Sequence, residues 1–225
     1  ALTSEGVKSS GHVIQGNWIG MTPGGQIHGL SGNGMNFSGA TSNCLIGGTQ
    51  PGAGNVVAAC GGRGIQAKYH LFDNDEYPYG IEILGNRLFG NQRSGIDLLG
   101  SHAQTNHSPN DPGDTDDGPN GMQNYPVLTG YSRTTATLHV ISGTLDSLPN
   151  KNDLFIIYAN ASFNPVDYAD QERFIARFTA TTGADGLTTF SEVVPFLIAP
   201  GQADITLDRY LTATATDPDG NTSEI

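Results

Sequence analysis

An internal repeat limits what this chain can become more than any other feature. Gly followed by an alternating apolar pair recurs as Gly34-Met35-Asn36-Phe37, Gly64-Ile65-Gln66-Ala67 and Gly95-Ile96-Asp97-Leu98, with Gly6-Val7 as a candidate earlier member. The starts lie 28, 30 and 31 residues apart. Each full interval holds two more short apolar segments opened or closed by Asn and Gly. His12-Val13-Ile14-Gln15-Gly16-Asn17 is followed by Asn17-Trp18-Ile19-Gly20, and Asn43-Cys44-Leu45-Ile46-Gly47-Gly48 by Asn55-Val56-Val57-Ala58-Ala59-Cys60. The third pair is Ile81-Glu82-Ile83-Leu84-Gly85-Asn86 and Asn86-Arg87-Leu88-Phe89-Gly90-Asn91. Three short strands per fixed period are the mark of a β-solenoid, because one turn cannot bury its apolar side alone and stacked turns form a continuous core. Asn suits the corners: it tolerates left-handed φ, and its amide can bond the equivalent Asn one turn away.

The repeat resembles a known architecture. Gly16-Asn17-Trp18-Ile19-Gly20, the run Ser38–Thr49, Pro51-Gly52-Ala53-Gly54-Asn55-Val56-Val57 and Gly85–Asn91 resemble the right-handed parallel β-helix repeat proteins of bacterial surfaces and secretions, over roughly residues 6–100. Asn110–Leu128 resembles the segment that ends the helix in many of them. Thr212–Glu224 resembles the last strands of bacterial immunoglobulin-like modules. The resemblance implies an all-β chain: a short right-handed parallel β-helix of about four turns over 1–104, an acidic Asp/Pro/Gly linker over 105–126, and an immunoglobulin-like β-sandwich over 127–225. Members of this architecture include adhesins, matrix components and polysaccharide-active enzymes, so it does not by itself select a function.

The second half supports that division. Ala136/Leu138/Val140, Leu154/Ile156/Tyr158, Phe174/Ala176/Phe178 and Leu211/Ala213/Ala215 are each read as alternating with polar or exposed positions, predicting strands with these sets on one inward face. About seven short strands in about 100 residues suit a sandwich. The six buried positions predicted for the repeats are Phe37, Ile65, Ile83, Leu88, Ile96 and Leu98, with Asn36, Gln66 and Asp97 stacked outward on successive turns.

Composition excludes several roles. Ten Lys and Arg against 22 Asp and Glu give a net charge of −12. That argues against nucleic-acid binding, which needs a basic face. Charged residues make up only 14%, which opposes disorder. There is no apolar run of spanning length and no signal peptide at the start, so the chain reads as a mature protein or an excised fragment. The expected setting is secreted or on a bacterial cell surface.

Candidate chemistry sits in two places. Asp111, Asp114, Asp116 and Asp117 lie within seven residues, beside Asn110 and among Pro and Gly turns. Calcium takes six to eight oxygens from such loops, although the spacing is not an EF-hand. A solvated hinge whose Asp side chains cap turns is the alternative. No cofactor is required by the fold.

The second place is the insertion Lys68–Tyr79. Its Tyr69, Tyr77 and Tyr79 beside Asp73 and Asp75 fit a carbohydrate contact, since aromatic platforms with carboxylates suit sugars. A loop that only covers apolar surface is the alternative. An enzymatic reading would rest on His70, Glu76 and Asp97. Glycoside hydrolysis needs two carboxylates about 5–10 Å apart, and the Asn36–Gln66–Asp97 ladder offers one acid. Glu82 belongs to a different strand and another face.

The expected role is therefore a non-catalytic structural or adhesive module contacting polysaccharide or another surface protein, with a lyase or glycoside hydrolase as the alternative. An uncapped solenoid end would also invite self-association. Cys44 and Cys60 are expected as buried free thiols. Four Asn-x-Ser/Thr sequons, at Asn36, Asn106, Asn160 and Asn221, carry no argument in so Asn-rich a chain.

Overall fold

A computed structural model describes residues 9–69, 76–99, 107–135, 137–160, 170–195 and 210–225. The chain is all-β. In the repeats, β1 (Val13–Ile14), β4 (Ser42–Gly47) and β7 (Tyr79–Leu84) form one three-stranded parallel sheet. A second contains β2 (Trp18–Ile19), β5 (Val56–Ala58) and β8 (Arg87–Phe89), and a third β3 (Met35–Ser38), β6 (Ile65–Lys68) and β9 (Ile96–Leu99). Each sheet takes one strand from each repeat, which is why the sequence period is the sheet register. Asn36 pairs with Gln66 and Gln66 with Asp97, as expected.

Between the three sheets runs one core. Phe37, Ile65, Ile83, Leu88, Ile96 and Leu98 are all buried in it, together with Cys44, Ile46, Val57, Cys60 and Ile81. Burying an Ile or Leu stabilises by about 1.5–3 kcal/mol relative to exposure, so the stack rests chiefly on these side chains. Both cysteines are free and buried, with their thiol pKa values raised by desolvation. The Gly that opens the second and third repeats, Gly34 and Gly64, is required by close approach. A Cβ on Gly34 would fall 2.2 Å from Val57 Cγ1, and one on Gly64 2.6 Å from the Gly95 carbonyl oxygen.

The corners are tied by the amide ladder that the Asn pattern predicts. Asn55 Oδ1 accepts from the backbone N–H and the amide of Asn17, at 3.0 and 2.9 Å. Asn86 Oδ1 accepts from the corresponding groups of Asn55 at the same distances. The Asn55 and Asn86 amides also donate to the carbonyls of Ile14 and Ile46, one turn back.

Residues 127–216 pair antiparallel. β10 (Val127–Arg133), β11 (Leu138–Asp146) and β14 (Leu187–Pro195) form one sheet; β13 (Arg173–Thr181), β12 (Asn152–Asn160) and β15 (Tyr210–Thr216) form the other. Both contribute to a second core, in which Phe155 stacks on Phe178 at 4.9 Å and tilts against Phe190 at 4.9 Å. Ala213 and Ala215 face this core as expected.

Face assignments on β11, β12 and β13 need correction: on β13, Ile175 and Ala176 are buried in the second core and Phe178 packs against it, while Phe174 packs on the opposite side. On β11 the inward set includes Ile141 and Leu145, with His139 also buried, while Leu138 is 38% exposed; Ala136 lies outside the described residues. On β12, Leu154, Ile156 and Tyr158 turn away from the second core, and Phe155, Ile157 and Ala159 fill it. The first set instead packs with Leu45 and Leu84 of the repeats and Phe174 of β13. β12 is therefore covered on both sides.

The repeats and the antiparallel sheets meet where the third turn would otherwise expose its edge. Gly80 N–H donates to Asn221 Oδ1 (2.8 Å), Ile81 N–H to Asn120 Oδ1 (2.9 Å) and Ile83 N–H to Thr222 Oγ1 (2.9 Å). Gly85 N–H donates to the Tyr158 hydroxyl at 3.1 Å. Leu88 exchanges two backbone bonds with Gln171, and Leu98 N–H donates to Glu224 Oε1 at 2.7 Å. Asn120, in the short 3-10 segment Pro119–Met122, returns its own amide to the carbonyls of Ile81 and Thr222. The amide thus takes the place an Asn of a following turn would hold.

Candidate functional site

Alternation along β7 sends Ile81 and Ile83 into the core and Glu82 out of it. Opposite Glu82 the chain leaves β15 and makes the turn Asp217-Pro218-Asp219-Gly220. Asp217 builds that turn: its Oδ1 accepts from the N–H groups of Asp219 and Asn221, and its Oδ2 from the Asn221 amide. A methyl placed on Gly220 would lie 3.8 Å from Glu82 Cβ, so the turn sits directly on the strand.

Between the two runs a cleft of about 650 Å³, lined by Asn43, Glu82, Asn152, Thr179, Asp217 and Asp219 among others. Burial pushes the Glu82 carboxyl above its ordinary pKa. Asp219 reaches Lys151 Nζ at 2.9 Å, and that pair raises the Lys151 pKa. Tyr79, 45% exposed, precedes Gly80 at the cleft wall and lies within electrostatic range of Lys151.

Of the insertion residues expected at a carbohydrate contact, Tyr69 and Tyr77 come together, their ring centroids 5.5 Å apart. Asp73 and Asp75 lie outside the described residues, as does His70. Glu76 is half-buried at the returning end of the insertion. Asp97 is 2% exposed, and its oxygens are engaged by Arg63 Nε (2.5 Å), Gln66 Nε2 (3.3 Å) and Ser94 Oγ (3.5 Å). It points away from the core but not into solvent, because the corner residue Arg63 covers it.

The acidic segment folds tightly. Asp111, Asp114 and Asp116 each place one carboxylate oxygen within 4.8 Å of the others. Asp117 is not part of that group. Asn110 is bound to the Tyr125 backbone in both directions, at 2.8 and 2.9 Å. Asp114 is buried, with positive φ. Asn124 N–H donates to its Oδ1, and Gln123 Nε2 and Ser147 Oγ donate to its Oδ2, each at 2.9 Å. Burial first, with the charges of Asp111 and Asp116, still raises its pKa to about 6.

Sequence reasoning passed over Asp217 and Asp219 and set Glu82 aside. The turn signal Asp-Pro-Asp-Gly was visible, but nothing local says that it closes on β7, some 135 residues earlier. The sequence matches no protein-family model, and no curated protein matches it either.

Proposed function

We propose that the chain is a non-catalytic structural or adhesive module of a bacterial extracellular or cell-surface protein, made of a short right-handed parallel β-helix locked to an immunoglobulin-like β-sandwich. The observation that carries this reading is the lock itself. Hydrogen bonds to Asn120, Tyr158, Gln171, Asn221, Thr222 and Glu224 tie the last turn of the repeats to the rest of the chain. Such a joint transmits load without a flexible hinge, as a stalk or adhesive arm requires.

The surface best suited to a polysaccharide is the junction cleft with Tyr79 beside it. A tyrosine face stacks on a sugar ring, while Asn43, Asn152 and Glu82 offer hydroxyl partners. The second reading, a polysaccharide-active enzyme, is favoured by one observation: Glu82 carries a raised pKa in a cleft that also holds Asp219.

A panel of neutral and acidic polysaccharides, assayed for binding and for new reducing or unsaturated ends, separates the two. The module reading expects binding that Tyr79→Ala weakens, with no turnover. Turnover that Glu82→Gln abolishes at unchanged Tm would replace it with the enzyme reading.

A further inference from the structure

The two ends of the repeat stack differ. At the junction end, Asn120, Thr222, Gln171 and Glu224 engage the outer backbone groups of Ile81, Ile83, Leu88 and Leu98. At the other end β1, β2 and β3 are the terminal strands of their three sheets, and among the described residues no strand lies beyond them. Leu45 N–H donates to the His12 carbonyl, and Val56 N–H to that of Asn17. Main-chain groups alternate in direction along a strand, so Val13 and Trp18 turn their own N–H and C=O away from the stack.

The core is open at this end as well. Ile14 and Ile19 are only partly buried, whereas Ile46 and Val57, their register partners one turn on, are 0% exposed. Val13 and Ile27 are 63% and 66% exposed, and Trp18 and Leu30 are exposed beside them in the same turn. Sheet edges are ordinarily guarded by Lys, by Pro or by a bulge. The strands here read Val-Ile, Trp-Ile and Met-Asn-Phe-Ser, with no charge and no Pro, and they pair with the next turn without a register shift.

Charge identifies the occupant. Residues 9–62 contain no Asp, Glu, Lys or Arg, in a chain whose net charge is −12. Two copies repel one another over most of their surface, and the uncharged end is where they meet without that repulsion. A strongly acidic or basic partner finds only His12 and His28 there to pair with. Because the junction end is already closed, one copy cannot stack head to tail on the next, and a symmetric join of first turn to first turn remains. We propose that two copies of the chain associate through their first turns, laying the outer edges of β1, β2 and β3 against one another about a two-fold axis. The strands that meet run antiparallel, Ile14 and Ile19 are covered, and the assembly closes at two.

The test follows the full chain by sedimentation velocity across a concentration series. A monomer–dimer equilibrium without larger species is expected, and it should persist in about 1 M NaCl, where ion pairs are screened. Val13→Lys, at an exposed side chain, should weaken the dimer by about tenfold or more by setting like charges at the join, while leaving the Tm of the dilute monomer unchanged. Val13→Pro, which removes an outward N–H and none that β4 uses, should weaken it as well. Leu187→Lys, on β14 and 53% exposed, should leave it intact. A monomer at about 0.1 mM, where an interface of micromolar Kd is nearly saturated, overturns the proposal. So does a dimer that Val13→Lys leaves unchanged, that Leu187→Lys abolishes or that salt dissolves. Growth into longer oligomers would show that the junction end is not closed. Dimers that form only once residues 1–8 are deleted would make the chain's own first segment the occupant, and in either case the proposal fails.

Discussion

In the repeats, each strand pairs in parallel with the strand one turn away, and the same residue type recurs at the join: Asn17, Asn55 and Asn86 at one corner. In residues 127–216, the described strands pair antiparallel, and the contacts that matter join residues that share no repeat position, such as Phe155 with Phe178 and Phe190. A repeated region can satisfy its backbone from its own period everywhere except at its ends. The antiparallel region lacks that periodicity and instead supplies what the last turn is missing. Stability should therefore be least local at the junction, and graded perturbations test this.

The largest effect is expected from removing residues 217–225. Gly80, Ile83 and Leu98 would each lose the acceptor of a backbone N–H. At about 1–3 kcal/mol for each buried donor left unsatisfied, the loss approaches a typical domain's total stability of about 5–15 kcal/mol. The truncated chain should melt without cooperativity and bind a hydrophobic dye. A sharp transition near the wild-type Tm would mean that the repeats stand alone.

Next comes Arg63→Ala, which strands Asp97 at 2% exposure. Removing one partner of a buried pair costs about 3–5 kcal/mol, toward the low end here because Arg63 is partly exposed. Arg63→Met combined with Asp97→Leu should recover much of that loss in denaturant titrations. Failure of the double variant to recover would show that the pair sets the corner's shape as well as its charge.

Asn86→Ala should cost about 1–3 kcal/mol, because it deprives Asn55 N–H and the Ile46 carbonyl of partners inside the stack. The equivalent change at Asn17, on the exposed first turn, should cost less. Equal losses would undo the idea that position in the stack sets the value of a corner amide.

The smallest effect concerns pH. Asp170 has a pKa raised to about 6, chiefly by burial and partly by the charge of Glu172, against the opposing Gly90 N–H. Its protonated form is favoured in the folded state. Its contribution to stability is thus full below about pH 4, the ordinary carboxyl value, and falls as pH rises through about 6. Asp170→Asn should flatten a Tm profile across that window by a degree or two, and an unchanged profile would assign the pH dependence to other groups.

How far the sequence speaks follows the same divide. The 28–31 residue spacing placed the six core positions named from it, Phe37, Ile65, Ile83, Leu88, Ile96 and Leu98, and the Asn36–Gln66–Asp97 register, because a period is a long-range statement written locally; it assigned Cys44 and Cys60 to corners, and both lie in the core. It gave no sign that Arg63 would cover Asp97. On β12, Leu154-Phe155-Ile156-Ile157-Tyr158-Ala159 is apolar throughout, the signature of a strand buried on both faces. Reading one alternating set as the single inward face hid the contact with Leu45 and Leu84. On β11 the inward set begins with His139, and a polar residue there disguised the phase. The acids 111, 114 and 116 were legible from spacing. Asp153, 0% exposed near the start of β12, was not, since an Asp there looks like an ordinary turn residue until its buried neighbours are known.

The backbone hydrogen bonds of the junction named above fall on the last turn, from Gly80 to Leu98, while Leu45 of the turn before packs against β12. Whole repeats inserted ahead of it would leave every one of those bonds untouched. Each would add one strand spacing, about 4.8 Å, to the stack. Reach in such a molecule is a quantity that changes in fixed steps, by duplication of some thirty codons, with the terminal fitting kept constant.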